Sequence, residues 1–528
     1  MTYEIVIGLE AHAQLLTKTK LFCGCSLRFG EAPNSQTCPV CTGQPGSLPV
    51  LNRTAVEYGL KTALTLGCRI NRHTVFDRKN YYYPDLPKNY QISQNYTNLG
   101  VDGAIDLEIV GQASCLPNQA VQAGSLHHTT RRVRIHNVHL EEDAGKLLHP
   151  EDTLSAIAAG ELAEDGEPDF GPGSLSSRSS GFAMSLSDFT LVDLNRAGTP
   201  LAEIVTEPDL RSLEEARVYM ETLAGILLYL GVSDCKMEEG SLRFEASISL
   251  RPVGSEKLGN RVEIKNVNSM KAVVRALEYE ARRQTDCLDH GEPIGRETRL
   301  WNEAAGRTAP MRSKELAHDY RYFPEPDLVP IEVDDAWIER VRASIPELLA
   351  ARRRRFIEQL GLPAYDAAIL VENRAIADYF EACVRLGAEP KAASNWIQVG
   401  VLRELNARSI SIAELKVTPP MLCDLIRLVA DGAVAPNPAK DVFAEMAESG
   451  RPAAAIIEAK GLRQISDTGE LEAIVLRILR ENPQPVADLR AGRKQAQGFL
   501  MGQVIRATQG KANPKIVADL IARKLAEA

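Results

Sequence analysis

The sequence predicts an α+β protein, with an antiparallel-sheet cradle over residues 1–328 followed by all-helical domains over 329–405 and 406–528. Three observations carry that expectation. Beyond residue 188, apolar positions alternate with acids and bases through TLVDLNRAGTPLAEIVTEPDL, CKMEEGSLRFEASISLRP and NRVEIKNVNSM, the two-residue period of half-buried strands. Past residue 330 the period lengthens to that of amphipathic helices, as in Leu471, Ile474, Val475, Ile478 and Leu479. Between the N-terminal strand and the first helix sit four cysteines in two short hooks, the mark of a metal-bound insertion.

Composition excludes more than it identifies. With 528 residues, 44% hydrophobic and 25% charged, the chain reads as a soluble globular protein of roughly two to four domains. A net charge of −9 argues against coating of nucleic acid by the whole molecule, so any such partner must be met by a local basic patch. The opening MTYEIVIGLEAHAQL lacks a basic leader and carries Glu4 and Glu10 within its apolar run, unlike a signal peptide. No uninterrupted apolar stretch reaches membrane length, so the expectation is a cytoplasmic protein without membrane contact. Ten cysteines are too few here for a disulfide framework, and in a reducing compartment the paired ones point to metal.

Taken in order, IVIGLEAH reads as a strand whose Glu10 and His12 share a face, where they either help to hold a cation or reach solvent. Cys23, Cys25, Cys38 and Cys41 follow as C-x-C, twelve residues and C-x-x-C. Four thiolates so spaced close tetrahedrally around Zn2+, and such a shell leaves no open position for catalysis; the alternative is a set of reduced thiols. From Asn52 to Gly67 a helix is expected, with Ala55, Leu60, Ala63 and Leu64 on one side and a glycine stop. FDRKNYYYPDLPKNYQISQN is loop-rich, and its Arg78, Lys79, Lys88 and tyrosines suit either phosphate contact or plain aromatic packing.

The densest chemistry lies in HNVHLEEDAGK, residues 136–146. Alternation puts His139, Glu141 and Asp143 on one face of a strand end and Glu142 on the other. Partly buried carboxylates repel one another unless a cation sits among them, so the run is either a metal–phosphate site or a solvated acidic loop. Residues 149–188 turn acidic and then Gly- and Ser-rich, the composition of an exposed insertion. The strands beyond it carry Glu203 with Glu207, Glu238 with Glu239, Arg243 with Glu245 and Glu263 with Lys265, fit to line a nucleotide and metal cradle. There is no Walker-type glycine loop, so an ATP site would be of another kind. Near the C-terminus Asn513 and Pro514 open a helix with Val517, Leu520, Ile521 and Leu525 on its apolar face. Lys494, Arg506, Lys511, Lys515, Arg523 and Lys524 surround these last helices, as a phosphate-binding surface or a solvated one.

Together, GLEAH, FCGCS…CPVC…GSLPVLN, YYYPDLPKNYQISQ, HLEEDAGK, VDLNRAGTPLAEIVTEPD, MEEGSLR and MRSKELAHDYRYFPEPDL resemble the B subunit of the glutamyl-tRNA(Gln)/aspartyl-tRNA(Asn) amidotransferases. The likeness runs through most of residues 3–330 and resumes in GFLMGQVIRATQGKANPKIVADLIARKL. It implies a glutamine synthetase-like cradle and a ligase reaction. ATP phosphorylates the side-chain carboxylate of mischarged Glu-tRNA(Gln) or Asp-tRNA(Asn), and ammonia then displaces the phosphate. It also implies a heterotrimer in which a glutaminase A subunit supplies the ammonia beside a small C subunit. Carried onto matching positions, it makes Glu10, His12, Glu141 and Glu142 catalytic ligands of Mg2+ and adds Glu207 and Glu245 to the lining. Arg243, Glu239 and Lys265 fall to ATP, and Arg506, Lys511 and Lys515 to tRNA. Where the family commonly has an RCD-type sequence this chain has Arg243, Phe244 and Glu245, whose carboxylate reaches one methylene further. Two other readings stand beside this one. A zinc-bearing, tRNA-binding adaptor without catalysis leaves the acids and His12 unemployed, and a metallohydrolase would use the HLEED site on water.

Overall fold

The computed structural model describes residues 3–112, 126–149, 189–311, 320–463, 468–490, 493, 495–508, 512 and 514–527. The strands are β1 (Tyr3–Gln14), β2 (Arg69–Ile70), β3 (His73–Thr74), β4 (Asp77–Asn80), β5 (Tyr90–Ser93), β6 (Gly100–Gln112), β7 (Leu126–Glu142) and β8 (Lys146–Leu148). They continue as β9 (Leu191–Asp193), β10 (Pro200–Thr206), β11 (Leu242–Pro252), β12 (Val262–Lys265), β13 (Glu297–Asn302), β14 (Arg307–Pro310), β15 (Phe323–Pro324) and β16 (Ile331–Glu332). Nine of them form one sheet in the order β14-β13-β12-β11-β1-β10-β7-β6-β2, and β15-β4-β5, β16-β3 and β8-β9 form small ones.

Every ladder of the large sheet is antiparallel except β12 with β13, which is parallel. The sheet is therefore mixed, a correction to the antiparallel expectation. Its cause is α3 (Met270–Asp289), whose 20 residues lie between those two strands in the chain. A helical crossover brings the chain back to the starting end, so the second strand runs the same way as the first.

Two more helices complete the layer: α1 (Arg53–Thr65) and α2 (Leu213–Leu230). Helix α1 packs on β6 and β7, α2 on β6, and α3 on β11. The Asn52 side chain caps α1 by accepting the Thr54 and Ala55 N–H groups, at 3.0 and 3.4 Å. Gly59 lets α1 approach the sheet, since a Cβ there would lie 2.7 Å from Leu99 and 2.9 Å from Leu140. Ile7, Leu9, Ala11 and Ala13 of β1 are buried on this side, which leaves Glu10 and His12 to the other face.

Contacts divide the chain into two units, 1–346 and 347–528. The first runs past residue 328 because Ile331 and Glu332 pair with Thr74 and His73, and helix Asp335–Ala343 packs against α1. The second is helical, with one apolar core spanning Phe356 to Ile457 and another spanning Leu471 to Ile521. The expected division at 405/406 falls inside helix Leu402–Arg408. In the last core Leu471, Val475 and Ile478 meet Val517, Leu520 and Ile521 of helix Pro514–Glu527, while the capping Asn513 lies outside the described residues. Among the described residues no helix is long and apolar enough to cross a membrane.

Leu223 of α2 is fully buried. Leu223→Ala should therefore lower the stability of the sheet unit by about 2–5 kcal/mol, read from the midpoint of urea unfolding. An unchanged midpoint would contradict the packing.

Candidate metal centre

Adjacent strands bring their polar positions into register. β1 pairs His12 with Glu203 of β10 on one side and with Arg243 of β11 on the other, and likewise Glu10 with Val205 and Glu245. β10 in turn pairs Glu203 with His139 of β7 and Leu201 with Glu141. Facing residues of a ladder point to the same side of the sheet. Glu10, His12, Glu203, His139, Glu141, Arg243 and Glu245 therefore all emerge from the face opposite the helices.

His12 Nε2 lies 3.3 Å from Glu10 Oε1, 3.6 Å from Glu141 Oε1 and 3.5 Å from Glu203 Oε2. His139 Nε2 lies 3.0 Å from that same Glu203 oxygen. Two ligand sets result, Glu10–His12–Glu203 and His139–Glu141–Glu203, each with its donor atoms within 4.8 Å of one another. They share Glu203. His139 Nδ1 is 2.9 Å from Asn137 Oδ1, and with that nitrogen donating, loss of the proton that Nε2 shares with Glu203 would free the Nε2 lone pair for a cation. Carboxylate oxygens with two imidazoles are a donor set that fits a divalent cation.

The crowding appears in proton affinities. Burial pushes the Glu10 carboxyl up to about 8, and repulsion from Glu203 adds to the shift. Burial also raises Glu141, again with Glu203 contributing. For His12 burial opposes the charged ring, but Glu203, Glu141 and Glu10 outweigh it and push the imidazole up to about 9. His139 rises against burial because of Glu203, and Glu203, despite burial, is held well below the usual carboxylate range by His139 and His12. Without a cation the cluster keeps protons that a metal would displace.

Cations and further acids surround it. The Lys79 ammonium sits 5.1 Å from the Tyr320 ring, and although burial disfavours its charge, Glu141 and Glu203 hold its proton affinity above the ordinary value. Buried Asp143 takes Arg243 Nη2 at 3.0 Å, Gln14 Nε2 at 3.2 Å and Arg196 Nε at 3.5 Å. These contacts overcome burial and hold Asp143 below the usual range. Lys265 Nζ bridges Glu245 at 3.0 Å and Glu263 at 3.2 Å.

Of the residues singled out in the sequence, Glu10, His12 and Glu141 meet, with Arg243, Glu245 and Lys265 beside them. Glu142 stands apart on the other side of β7, where it pairs with Lys88 and accepts the Ile92 N–H at 2.9 Å. Glu207 pairs with the exposed His136 at 2.8 Å, beyond an irregularity in the β10–β7 register at Val205/Thr206. Glu239 pairs with Lys236 at 2.8 Å on the turn before β11. Neither Glu203 nor His139 was counted among the ligands from sequence. Glu203 and Glu207 are four apart in sequence, but β10 ends at Thr206 after that irregularity, so only Glu203 keeps its place in the ladder with His12 and His139.

Elsewhere, Cys23, Cys25, Cys38 and Cys41 bring four sulfurs within 4.8 Å of one another, which fits one soft, tetrahedral cation. In the tail Arg506 is exposed, Lys515 stands in the first turn of helix Pro514–Glu527, and Lys511 lies outside the described residues, as do residues 150–188 of the insertion. Arg523 and Lys524 both pair with Glu472, at 3.2 and 2.5 Å.

A family model described as the GatB/GatE catalytic domain matches residues 5–166 and 174–339, and one described as the GatB domain matches 378–525. The chain belongs to the GatB/GatE family. Proteins named as the B subunit of aspartyl/glutamyl-tRNA(Asn/Gln) amidotransferase are similar to it over their full length. Those of Geotalea uraniireducens and Caldanaerobacter subterraneus subsp. tengcongensis are 47% identical over 525 residues and 48% over 527. That of Moorella thermoacetica is 49% identical over 525 residues. The alignments cover 99–100% of this chain and 100% of each relative. The resemblance read from GLEAH and HLEEDAGK thus holds, and the carboxylate–histidine cluster lies within the GatB/GatE catalytic-domain match.

A group whose proton affinity rises on folding contributes stability in full below its unfolded pKa and loses it as pH climbs through the folded one. That window runs from 6.5 to about 9 for His12 and from 4.5 to about 8 for Glu10. In buffer without added divalent cation, the urea midpoint should therefore fall as pH rises from about 6.5 to 9. Saturating magnesium should flatten that slope. Equal slopes with and without the cation would contradict a metal cluster here.

Proposed function

We propose that this chain is the carboxylate-activating subunit of a tRNA-dependent amidotransferase. It phosphorylates the side-chain carboxylate of mischarged Glu-tRNA(Gln), Asp-tRNA(Asn) or both with ATP, in a cradle related to that of glutamine synthetase. Ammonia from a glutaminase A subunit then displaces the phosphate, and a small C subunit completes the heterotrimer. The observation that carries this reading is the convergence of Glu10, His12, His139 and Glu141 on Glu203, inside the span that matches the GatB/GatE catalytic domain. The names of the relatives support the choice of substrate. An adaptor without catalysis leaves this cluster without a task.

The charge that a Mg2+ ion held there would supply is compensation for the transferring phosphoryl group. Glu10, Glu141, Glu203, His12 and His139 would hold it, the last ring oriented by Asn137. Asp143 anchors Arg243 by one nitrogen, which leaves the guanidinium's other N–H groups to take phosphate oxygens. Lys79, kept charged by Glu141 and Glu203, directs positive charge at the same space. Lys265 and Glu245 line the β11–β12 side. Cys23, Cys25, Cys38 and Cys41 would hold Zn2+ as a structural ion, since a closed shell of four thiolates has no position for substrate. Capture of tRNA falls to the helical tail over 406–528, where Arg506 is exposed and, among the described residues, in no ion pair. Arg523 and Lys524 share Glu472 and have less charge to offer phosphate.

In the assembled complex, Glu203→Gln should lower tRNA-dependent ATP cleavage by about 100-fold while the glutaminase reaction and far-ultraviolet circular dichroism persist. Glu142→Gln, whose side chain lies outside the cluster, should lose less than about tenfold. Unchanged rates in Glu203→Gln would sink the assignment, and full ATP cleavage without tRNA would favour the metallohydrolase reading.

Metal analysis of carefully prepared protein should find about one zinc per chain. Cys38→Ser should lose that zinc along with stability, rather than lose chemistry selectively. A zinc-free preparation would leave the four cysteines as ordinary thiols.

A further inference from the structure

Lys20 is 0% exposed. A charge so placed needs a compensating group close by, and lysines are rarely fully buried without one. Among the described residues no carboxylate oxygen lies within 4.0 Å of its ammonium. Nζ is instead 3.6 Å from Cys41 Sγ and 3.3 Å from the Leu194 carbonyl oxygen. The same sulfur receives the Cys38 N–H at 3.2 Å.

The chain around Lys20 directs it there. The Lys20 N–H donates to the Cys25 carbonyl at 3.1 Å, and the Leu21 N–H to that of Gly198 at 2.9 Å. Gly198 has a φ of +86°, and a Cβ on it would come 3.5 Å from both Cys41 Cβ and Lys20 Cδ. The aliphatic stem thus runs between the first cysteine hook and the Gly198 turn, and its charged end reaches the sulfur.

We propose that Lys20 is a positioning residue of the cysteine site, whose ammonium donates to the zinc-bound Cys41 thiolate and compensates part of the charge of the centre. This rests on the zinc reading above. Four thiolates on one Zn2+ leave two negative charges in excess, and one buried ammonium cancels one of them. A thiolate that accepts a charge-assisted hydrogen bond has less electron density to offer an electrophile. Lys20 therefore keeps the centre structural, holding Cys41 on the metal and out of reaction with electrophiles.

The test compares the full zinc-loaded chain with Lys20→Met, which keeps the length of the stem and removes the charge. Both are treated with iodoacetamide, in which the sulfur attacks carbon, iodide leaves and a thioether forms. Modification of Cys41 is followed by mass spectrometry while zinc is counted in parallel. Cys41 should be modified roughly tenfold faster in Lys20→Met, with zinc released in step, and Lys20→Arg should return the rate toward that of the unsubstituted chain. Equal rates at equal zinc content overturn the role of Lys20 and leave the zinc reading standing. Absence of zinc from the unsubstituted protein overturns the zinc reading, and this role with it. Should Lys20→Met fail to fold, a crystal structure of the zinc-loaded natural chain decides. Nζ within about 3.7 Å of a zinc-bound Cys41 sulfur upholds the proposal, and Nζ turned to a carboxylate overturns it.

Discussion

β1 is hydrogen-bonded on both edges, to β10 and to β11, and everything at the candidate metal centre depends on the register of those two ladders. A slip of one residue would carry Glu10 and His12 to the helix-covered face and bring Leu9 and Ala11 into the polar one. The apolar side holds the register. Ile7, Leu9, Ala11 and Ala13 are buried together with Phe244, Ala246 and Ile248 of β11 and with Ala202 and Ile204 of β10. A large side chain fully buried there contributes about 1.5–3 kcal/mol, whereas an ion pair in contact with water contributes about 0–1 kcal/mol. The ligands are thus placed by residues that never touch them.

The other face carries an arrangement that folding by itself disfavours. Glu10, Glu141 and Glu203 gather around two imidazoles, where burial and mutual repulsion raise Glu10 and Glu141 and the carboxylates keep protons on His12 and His139. Stripping those protons costs stability unless a cation takes their place, which is the physical difference between a site and a charged surface. Glu142 escapes the crowding, although it is next to Glu141 in sequence, because its side chain leaves the opposite side of β7 and meets Lys88.

One turn joins this cluster to the cysteine hooks. Gly198 accepts the Leu21 N–H and donates to the Asp143 carbonyl, and Thr199 accepts the Asp143 N–H. Glu142 lines the cavity beside Cys23 and Cys41, while Glu141 and Asp143 face the acidic side. A set of cysteine sulfurs and a set of carboxylates therefore lie on two sides of one strand end. Soft sulfur and hard oxygen select different cations, so the two sites need not compete for the same ion.

Relations between neighbours along the chain were legible without a structure. The cysteine spacing, the helix between Asn52 and Gly67, the stripe from Leu471 to Ile478 and the separation of Glu141 from Glu142 all follow from local spacing and periodicity. Family membership was legible too, because it rests on long ordered motifs. Relations across strands were not. Glu203 lies within β10 and Glu207 just past its end, a difference the sequence does not mark, and only the pairing with His12 and His139 makes Glu203 the member common to both candidate ligand sets. Glu239, four residues before Arg243, is drawn away by a turn that pairs it with Lys236, and β12 lies parallel to β13 because a helix crosses between them. Pairing and register are settled by burying the far side of the whole sheet, a sum over distant residues that no local window of sequence contains.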